Sequence, residues 1–515
     1  MKNAWELRFK VVNVVCNVYI RKKCARVDVF KYLLKLNSFH RELIQLFCSR
    51  LKNLNCQKNT QQEQNEFYFV RMSSLFQVRI FVANFIQNKA HFLSSAHTLP
   101  KSAPNKQRVY AWGFSETGAL GMQTSTKKHA EAFRSIVDHP TRLKFAENCS
   151  VKDVAAGYGF TAFSVERSDG LTLFGTGLNT DCQLGLQEKY TAGKGRAMEL
   201  IIYPTAINLP RKPEETDEEM QIKCMSAGRA HLVVVTKSGV IFTLGNNAYG
   251  QCGRPIVEAE LYRSSGLIHR IENLCGTEDS ILNVECGQDH TLFVTESGKV
   301  YSCGWGADGQ TGQGTYSSSG EIKLINGDIS SEKIVKVSSI ADCVLALNDK
   351  GEVFGWGNSE YGQLSDSKDA PPQINIPRAL SLTKGLGKII DIATGGSFCM
   401  VLNDAGDVFT WGYGILGFGP NVEQTSKPQM LLPPLFGRNN FSPNNKVQSI
   451  YCGIFHMAAV NLDGDLFMWG KNRFGCLGLG HKKDQYFPFK ASVNAKVLKV
   501  CCGVDHTLAI CKPFF

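Results

Sequence analysis

The chain has 515 residues with a formal net charge of +11, and it is 43% hydrophobic and 20% charged. This composition excludes a wholly disordered or collagen-like chain, and the length allows about three domains or one large closed repeat array. The charge is concentrated at one end: residues 1–107 hold 18 Lys/Arg against 5 Asp/Glu, and residues 108–515 hold 39 against 41. The basic pI therefore reflects residues 1–107, whose net charge is +13. It does not indicate a basic binding face on residues 108–515, whose net charge is −2.

Residues 72–107 contain no Asp or Glu and mix apolar, Ser and basic positions. That composition is typical of a mitochondrial transit segment. Leu75, Val78, Val82 and Phe85 fall near one helical face, and Arg79 interrupts the apolar run before the roughly 20 residues that a membrane span needs. We therefore predict a mitochondrial address within 1–107 and no transmembrane helix there.

Residues 1–71 are basic and precede a second candidate initiator at Met72. Two origins stay open for them: an extended leader, or translated upstream sequence. A nonspecific basic tail and a small structural appendage are the alternatives to an import signal. A secretory signal is disfavoured, because it would place 18 Cys in an oxidising compartment. The predicted boundaries are a leader at 1–107 and a folded body at 108–515.

From residue 109 the chain repeats two half-units. One half-unit is an apolar strand that ends in Gly, with His or an aromatic residue three positions later. Its copies begin at Val154, Met225, Val284, Val337, Ile392, Ile450 and Val500. The copy at Val337 lacks the Gly.

The other half-unit is a strand that ends in Trp-Gly or a variant, followed by a loop that closes with Gly-Gln-Leu-Gly. Its glycines are assigned to positions 113, 175, 245, 306, 357, 412 and 470. Pairs such as Asp463-Gly464 join the halves, as in tight antiparallel hairpins. A period of about 50 to 70 residues predicts a seven-bladed, all-β propeller, in which the orphan halves at the two ends complete one blade and seal the ring.

These motifs resemble the regulator-of-chromosome-condensation repeat family, and with the basic leader the chain most resembles its mitochondrial branch. The resemblance covers 109–511, and Ser365 departs from the pattern in Gly362-Gln-Leu-Ser. It implies a regulator without covalent catalysis: an exchange factor for a mitochondrial GTPase of inner-membrane fusion, an assembly factor for the mitochondrial ribosome, or both. The expected location is the matrix or the matrix face of the inner membrane. The alternative is a nuclear, chromatin-associated exchange factor for the small GTPase Ran.

The expected partners are a mitochondrial GTPase and a mitochondrial ribosome subunit or its assembly factors, with rRNA contact and peripheral membrane association as further options and no DNA. Repeated His residues at one register favour structural hydrogen bonds. The family's loop segments contribute to exchange, and this nominates four GTPase-contact candidates: Asp289, His290, Asp505 and His506.

No cofactor or metal is expected. Cys286, Cys452 and Cys502 occupy a small buried position of the repeat, and no Cys-x-x-Cys occurs. The Gly-x-Gly-x-x-Gly matches at 304–309 and 412–417 lie inside the repeat and open no helix, which argues against dinucleotide binding. Binding surfaces are expected in three irregular insertions, 122–150, 186–221 and 418–446, the second with an acidic cluster at 214–219.

Overall fold

Each pair of half-units folds into one antiparallel four-stranded sheet. The computed structural model describes residues 107–122, 135–167, 169–191, 194–274, 279–365 and 371–514. The predicted transit segment and its helix lie outside these residues. The described residues form seven four-stranded sheets, and we call them blades 1 to 7.

The strands are numbered along the chain, and within each blade they are given from first to fourth. Blade 1 consists of β3 (Ser150–Ala156), β4 (Phe160–Glu166), β5 (Leu173–Leu178) and β8 (Leu200–Ala206). A separate hairpin between β5 and β8 consists of β6 (Glu188–Thr191) and β7 (Lys194–Ala197). Blade 2 consists of β9 (Ile222–Ala227), β10 (His231–Thr236), β11 (Ile241–Gly245) and β12 (Ile268–Ile271). Blade 3 consists of β13 (Ile281–Cys286), β14 (His290–Thr295), β15 (Val300–Gly304) and β16 (Ser319–Leu324).

The next three blades follow the same succession. Blade 4 consists of β17 (Ile334–Ser338), β18 (Cys343–Asn348), β19 (Val353–Asn358) and β20 (Gln373–Ala379). Blade 5 consists of β21 (Ile389–Thr394), β22 (Phe398–Asn403), β23 (Val408–Tyr413) and β24 (Gln424–Met430). Blade 6 consists of β25 (Val447–Cys452), β26 (His456–Asn461), β27 (Leu466–Gly470) and β28 (Gln485–Ala491).

Blade 7 joins the two ends of the repeat region, as the orphan half-units predict. It consists of β29 (Lys496–Cys502), β30 (His506–Lys512), β1 (Arg108–Phe114) and β2 (Ile136–Arg142). β30 pairs antiparallel with β29 on one side and with β1 on the other. The first strands of all seven blades contact one another in a closed circle, so the predicted seven-bladed closed propeller is confirmed.

The core lies between neighbouring blades, where the second and third strands are buried on both faces. Trp112, Trp356, Trp411 and Trp469 are each fully buried there. Three of the indoles also donate a hydrogen bond to a carbonyl oxygen of the preceding blade: Trp112 to Cys476, Trp356 to Gln310 and Trp411 to Gln363. The described helices are the α-helix α1 (Lys144–Asn148) and the 3₁₀ helices Tyr262–Ser264, Ser381–Thr383 and Pro433–Phe436. None of the helices in the described ranges has the length and apolar run needed to cross a membrane.

The three predicted insertions contain regular structure, and this corrects the sequence analysis. Each holds the fourth strand of a blade, namely β2, β8 or β24, and the second also holds the hairpin β6–β7. These outer strands are largely exposed and are bent by register shifts, so they lack the apolar alternation of a strand. Five outer strands carry a proline inside the shifted stretch, which blocks pairing with another sheet edge. These prolines are Pro140, Pro204, Pro377, Pro428 and Pro488.

Two of the seven Trp-Gly glycines were also assigned two residues away from their true register. The residues that pair with the aromatic position are Gly177, opposite Phe160, and Gly304, opposite His290. The backbone requires glycine at both positions, because φ is +112° at Gly177 and +110° at Gly304, values that residues with a Cβ rarely adopt. The motif instead predicts Gly175, two positions earlier on β5, and Gly306, two positions later in the loop after β15.

Candidate functional site

One end of the propeller carries two loops from every blade. Because the strands alternate in direction, the turn between the first and second strands lies at the same end as the loop between the third and fourth. We call this end the loop face. It carries the repeated Gly-x-x-His turns, the Gly-Gln-Leu-Gly loops and the hairpin β6–β7.

The predicted histidines lie beneath this face and tie neighbouring blades together. The Nε2 atoms of His231, His456 and His506 lie 3.1, 3.1 and 3.0 Å from the Oγ1 atoms of Thr291, Thr507 and Thr161 in the next blade. His290 reaches Ser339 Oγ of blade 4 at 3.0 Å. The expected structural hydrogen bond is therefore present at all four positions.

The chemistry at this register changes in matched pairs around the ring. We call its seven residues the ring belt: Phe160, His231, His290, Cys343, Phe398, His456 and His506. Where the belt residue is Phe, the facing position in the next blade is apolar: Phe160 shares a buried cluster with Leu232, and Phe398 with Met457. Cys343 faces Cys399, with the two Sγ atoms 3.8 Å apart. Six belt residues thus face a residue of matching polarity. The exception is His290, whose facing residue in blade 4 is Val344 and whose ring reaches Ser339 instead.

The belt explains the repeated Gly and its loss in the fourth unit. A Cβ placed on Gly453 would lie 2.4 Å from Cε1 of His456, because the imidazole packs against the glycine backbone. Ile340 occupies the same place in blade 4, where the belt residue is the small Cys343. The missing ring leaves room for the isoleucine side chain, and β17 and β18 pair normally.

Burial keeps the belt histidines neutral. It lowers the pKa of His231, His290 and His506 to about 3 and that of His456 to about 4, with neighbouring charges as smaller causes for His231 and His506. His290 and His506 are 0% and 1% exposed, so their rings offer no surface to a partner. The predicted GTPase contact through His290, Asp289, His506 and Asp505 stays a prediction; of these residues Asp505 is half-buried, and Asp289 is 7% exposed.

Asp289 belongs to an acidic group on the blade 2 to blade 4 side of the loop face. It makes an ion pair with Arg229 at 2.5 Å. Burial raises the pKa of Asp289, and Arg229 opposes that shift. Burial, with the nearby Asp308 charge, raises the pKa of Asp342 to about 6. The hydroxyl of Tyr158 is buried beside these carboxylates and has no hydrogen-bond partner among the described residues.

Asp505 lies apart from this group, in a cleft between blades 6 and 7. The cleft has a volume of about 370 Å³, and its lining consists of Phe455, Lys471, Arg473, Phe474, Cys476, Val504 and Asp505. Burial raises the pKa of Asp505, and the Arg473 guanidinium opposes this. Asp505, one of the four predicted contact residues, thus lines a cleft.

A second charged group lines the central channel and was missed in the sequence analysis. Lys336 pairs with Asp391 and Lys499 pairs with Asp153, both at 2.5 Å and both across a blade boundary. Glu285 projects into the same channel, where burial raises its pKa to about 7 although both lysines lower it. The sequence does carry a signal for this group: a charged residue stands next to the buried Val of the first strand, as Lys336 does next to Val337, and alternate residues of a strand point to opposite faces.

The cysteines form no disulfide and no metal cluster within the described ranges. Cys286 and Cys502 are buried and Cys452 is half-buried, so the small-residue interpretation holds, with Cys452 less enclosed than expected. Burial raises the thiol pKa of all three. Gly304 and Gly412 of the Gly-x-Gly-x-x-Gly matches lie on β15 and β23, and the next element after each motif is a strand, β16 or β24.

Comparison with known proteins gives two matching family models. The RCC1-like domain matches residues 273–513, and the regulator of chromosome condensation (RCC1) repeat matches 106–164 and 238–294. The RCC1-like G exchanging factor-like protein of Homo sapiens is 43% identical over 421 residues, which are 80% of this chain and 88% of that protein.

Solved structures agree with this match. The crystal structure of human WBSCR16 is 42% identical, covers 79% of this chain and 100% of its own, and superposes with a TM-score of 0.72. Prp20p of Saccharomyces cerevisiae is 18% identical, covers 80% of this chain and 93% of its own, and has a TM-score of 0.63, so it bears on the fold alone. The chain therefore belongs to the family of propeller proteins built from regulator of chromosome condensation repeats, as its motifs indicated.

Proposed function

We propose that this propeller acts through protein contacts as a guanine-nucleotide exchange factor for a mitochondrial GTPase of inner-membrane fusion. The observation that carries the proposal is its 43% identity, over 88% of the relative's length, to a protein named as G exchanging factor-like. The mitochondrial part rests on the composition of residues 72–107, and the choice of GTPase rests on the resemblance stated above.

Exchange of this kind needs a rigid binding face and no covalent catalyst. A factor that binds the nucleotide-free GTPase more tightly than the loaded one lowers nucleotide affinity by the same coupling free energy. The loop face suits that role, because the ring belt and the indole hydrogen bonds fix its loops from below. Asp505 provides a half-buried carboxylate on this face, and Asp289 a largely buried one that is paired with Arg229.

The test is release of fluorescently labelled GDP from purified mitochondrial GTPases, with and without the full chain. We expect acceleration with at least one GTPase and reduced acceleration by Asp289→Asn and Asp505→Asn. Asp465→Asn is the control, because Asp465 is a half-buried carboxylate that pairs with Lys490 in the turn before β27, at the opposite end of the propeller. Unchanged GDP release with every GTPase of the compartment would contradict the proposal.

A second role as an assembly factor for the mitochondrial ribosome is favoured by the charge balance of the body. With 39 Lys/Arg against 41 Asp/Glu in residues 108–515, extensive phosphate contact is disfavoured and docking on ribosomal proteins is favoured. Affinity capture from matrix extracts distinguishes the two: co-purifying ribosomal proteins support assembly, and a GTPase alone supports exchange. Imaging of a C-terminally tagged full chain tests the mitochondrial location, and nuclear signal would instead favour the alternative of a Ran exchange factor.

A further inference from the structure

A buried glutamine links successive blades on part of the loop face. In blade 2, Oε1 of Gln251 accepts a hydrogen bond from the Tyr249 backbone N–H at 2.9 Å, and its Nε2 lies 3.5 Å from Asp289 of blade 3. In blade 3, Gln310 does the same: it accepts from the Asp308 N–H at 3.0 Å and donates to Asp342 of blade 4 at 2.9 Å. One carboxamide thus satisfies a backbone donor and a carboxylate together.

Between blades 6 and 7 the carboxylate is kept and the glutamine is lost. Asp505 occupies the position of Asp289 and Asp342, but Cys476 occupies the position of Gln251 and Gln310. The Cys476 thiol turns to the Lys471 carbonyl oxygen at 3.2 Å. Within the described residues, the Asp505 carboxylate has no hydrogen-bond or ion-pair partner, and the Phe474 N–H has no acceptor. The cleft of about 370 Å³ lies where the missing side chain would be.

The walls of this cleft are aromatic and cationic. Phe455 is 54% exposed at the rim. The Phe474 ring lies 4.7 Å from Phe114 and 5.0 Å from the Arg473 guanidinium, which holds it in place. Lys471 also lines the cleft and pairs with Asp484 at 3.2 Å. A ligand that fits must therefore be flat, to pack against the aromatic walls. It must present a hydrogen-bond acceptor to the Phe474 N–H and a donor to Asp505, as an amide does. Negative charge on the ligand would be attracted by Lys471 and Arg473.

We propose that the cleft between blades 6 and 7 binds a guanine nucleotide. The guanine edge has a carbonyl oxygen beside an N–H and an amino group, so it supplies the acceptor for the Phe474 N–H and two donors for Asp505. The base stacks on the phenylalanine walls, and Lys471 and Arg473 attract the phosphates. Adenine offers Asp505 a single donor, so it binds more weakly. The inference is independent of the proposed exchange function, because this chain binds the nucleotide without a GTPase.

The test is isothermal titration of the full chain with GDP, with ADP and with N-acetylglutaminamide, a free carboxamide. We expect GDP to bind at least about tenfold more tightly than ADP, since a difference of roughly 1.4 kcal/mol corresponds to one lost hydrogen bond to a charged group. Cys476→Gln restores the glutamine of the other blades and should close the cleft, so GDP binding is lost while the melting temperature is kept. Asp505→Asn should weaken GDP binding at least about tenfold.

Gln363→Cys is the matched control. It makes the same truncation in blade 4, where Ser397 of blade 5 occupies the carboxylate position, so it should create no nucleotide site. Absence of GDP binding to the folded wild type, or GDP binding that Cys476→Gln leaves unchanged, overturns the proposal. Binding of the carboxamide alone also overturns it, because the occupant would then be a side chain of a partner protein.

Discussion

His456 donates from Nε2 to the Oγ1 atom of Thr507, 3.1 Å away, across the boundary between blades 6 and 7. The Thr507 hydroxyl donates its own hydrogen bond to the Cys476 carbonyl oxygen at 2.8 Å, so the imidazole must be the donor to Thr507 and its Nδ1 atom carries no proton. That Nδ1 atom is buried against Gly453 without a partner. The neutral form is thus the one that fits, and protonation would place an unpaired charge in the core.

Acid should destabilise the propeller through these four histidines. Their pKa values in the folded protein are about 3 to 4, against about 6.5 when unfolded. The unfolded chain therefore binds protons first, and stability falls as the pH drops below 6.5. The loss by pH 5 is up to about 2 kcal/mol per histidine. Four carboxylates with raised pKa values, Glu285, Asp289, Asp342 and Asp505, shift stability in the opposite direction and offset part of this loss.

Urea unfolding between pH 8 and pH 5 measures this dependence. A control variant that carries His456→Phe and Thr507→Leu copies the apolar pairs of the belt and should show a shallower loss in acid. Stability that is flat or rises toward pH 5 in the wild type would mean that the histidines do not control the acid response.

The paired chemistry of the belt predicts strong coupling between His231 and Thr291. His231→Phe alone leaves the Thr291 hydroxyl facing an apolar ring, and Thr291→Leu alone leaves the buried imidazole without a partner. Each should cost about 1–3 kcal/mol of unfolding free energy. Together they reproduce the Phe160–Leu232 pairing between blades 1 and 2. A double-mutant cycle by chemical denaturation should give a coupling of at least about 1 kcal/mol, and additive effects would contradict the pairing.

Blade 4 gives a second test, based on the space that the missing ring leaves. Cys343→His alone should destabilise the protein by about 1–3 kcal/mol, because the new ring would overlap the Ile340 side chain. Ile340→Gly added to it recreates the Gly-x-x-His turn of the other blades and removes the side chain that the new ring would meet. Thermal melting of both variants measures the rescue. A double variant no more stable than Cys343→His would show that Ile340 does not set the packing there.

The motif repeats were sufficient to predict seven blades and the closure of the ring, because each half-unit carries its own turn glycine and apolar strand. They could not identify the outer strands, such as β24, since exposed and bent strands have no apolar period. The candidate site was less predictable. Asp505 is predicted from its motif, but its cleft depends on Cys476, which lies 29 positions earlier in the sequence and becomes its neighbour only when blades 6 and 7 pack together. The channel pair Lys336–Asp391 likewise joins residues from two repeats.

Closure through β30 predicts that the last strand is essential for a cooperative fold. β30 supplies the middle of blade 7, with Leu508 opposite Ala111 on one side and opposite Cys501 on the other. Deletion of residues 503–515 should therefore release β1 from β29, expose the Trp112 cluster and lower the melting temperature markedly. Deletion of 513–515 removes residues beyond the strand and is the matched control. Hydrogen exchange should report lost protection in β1 and β29 of the longer deletion, and a synthetic peptide of residues 503–515 should restore it. An unchanged melting temperature after the longer deletion would show that the ring holds without this strand.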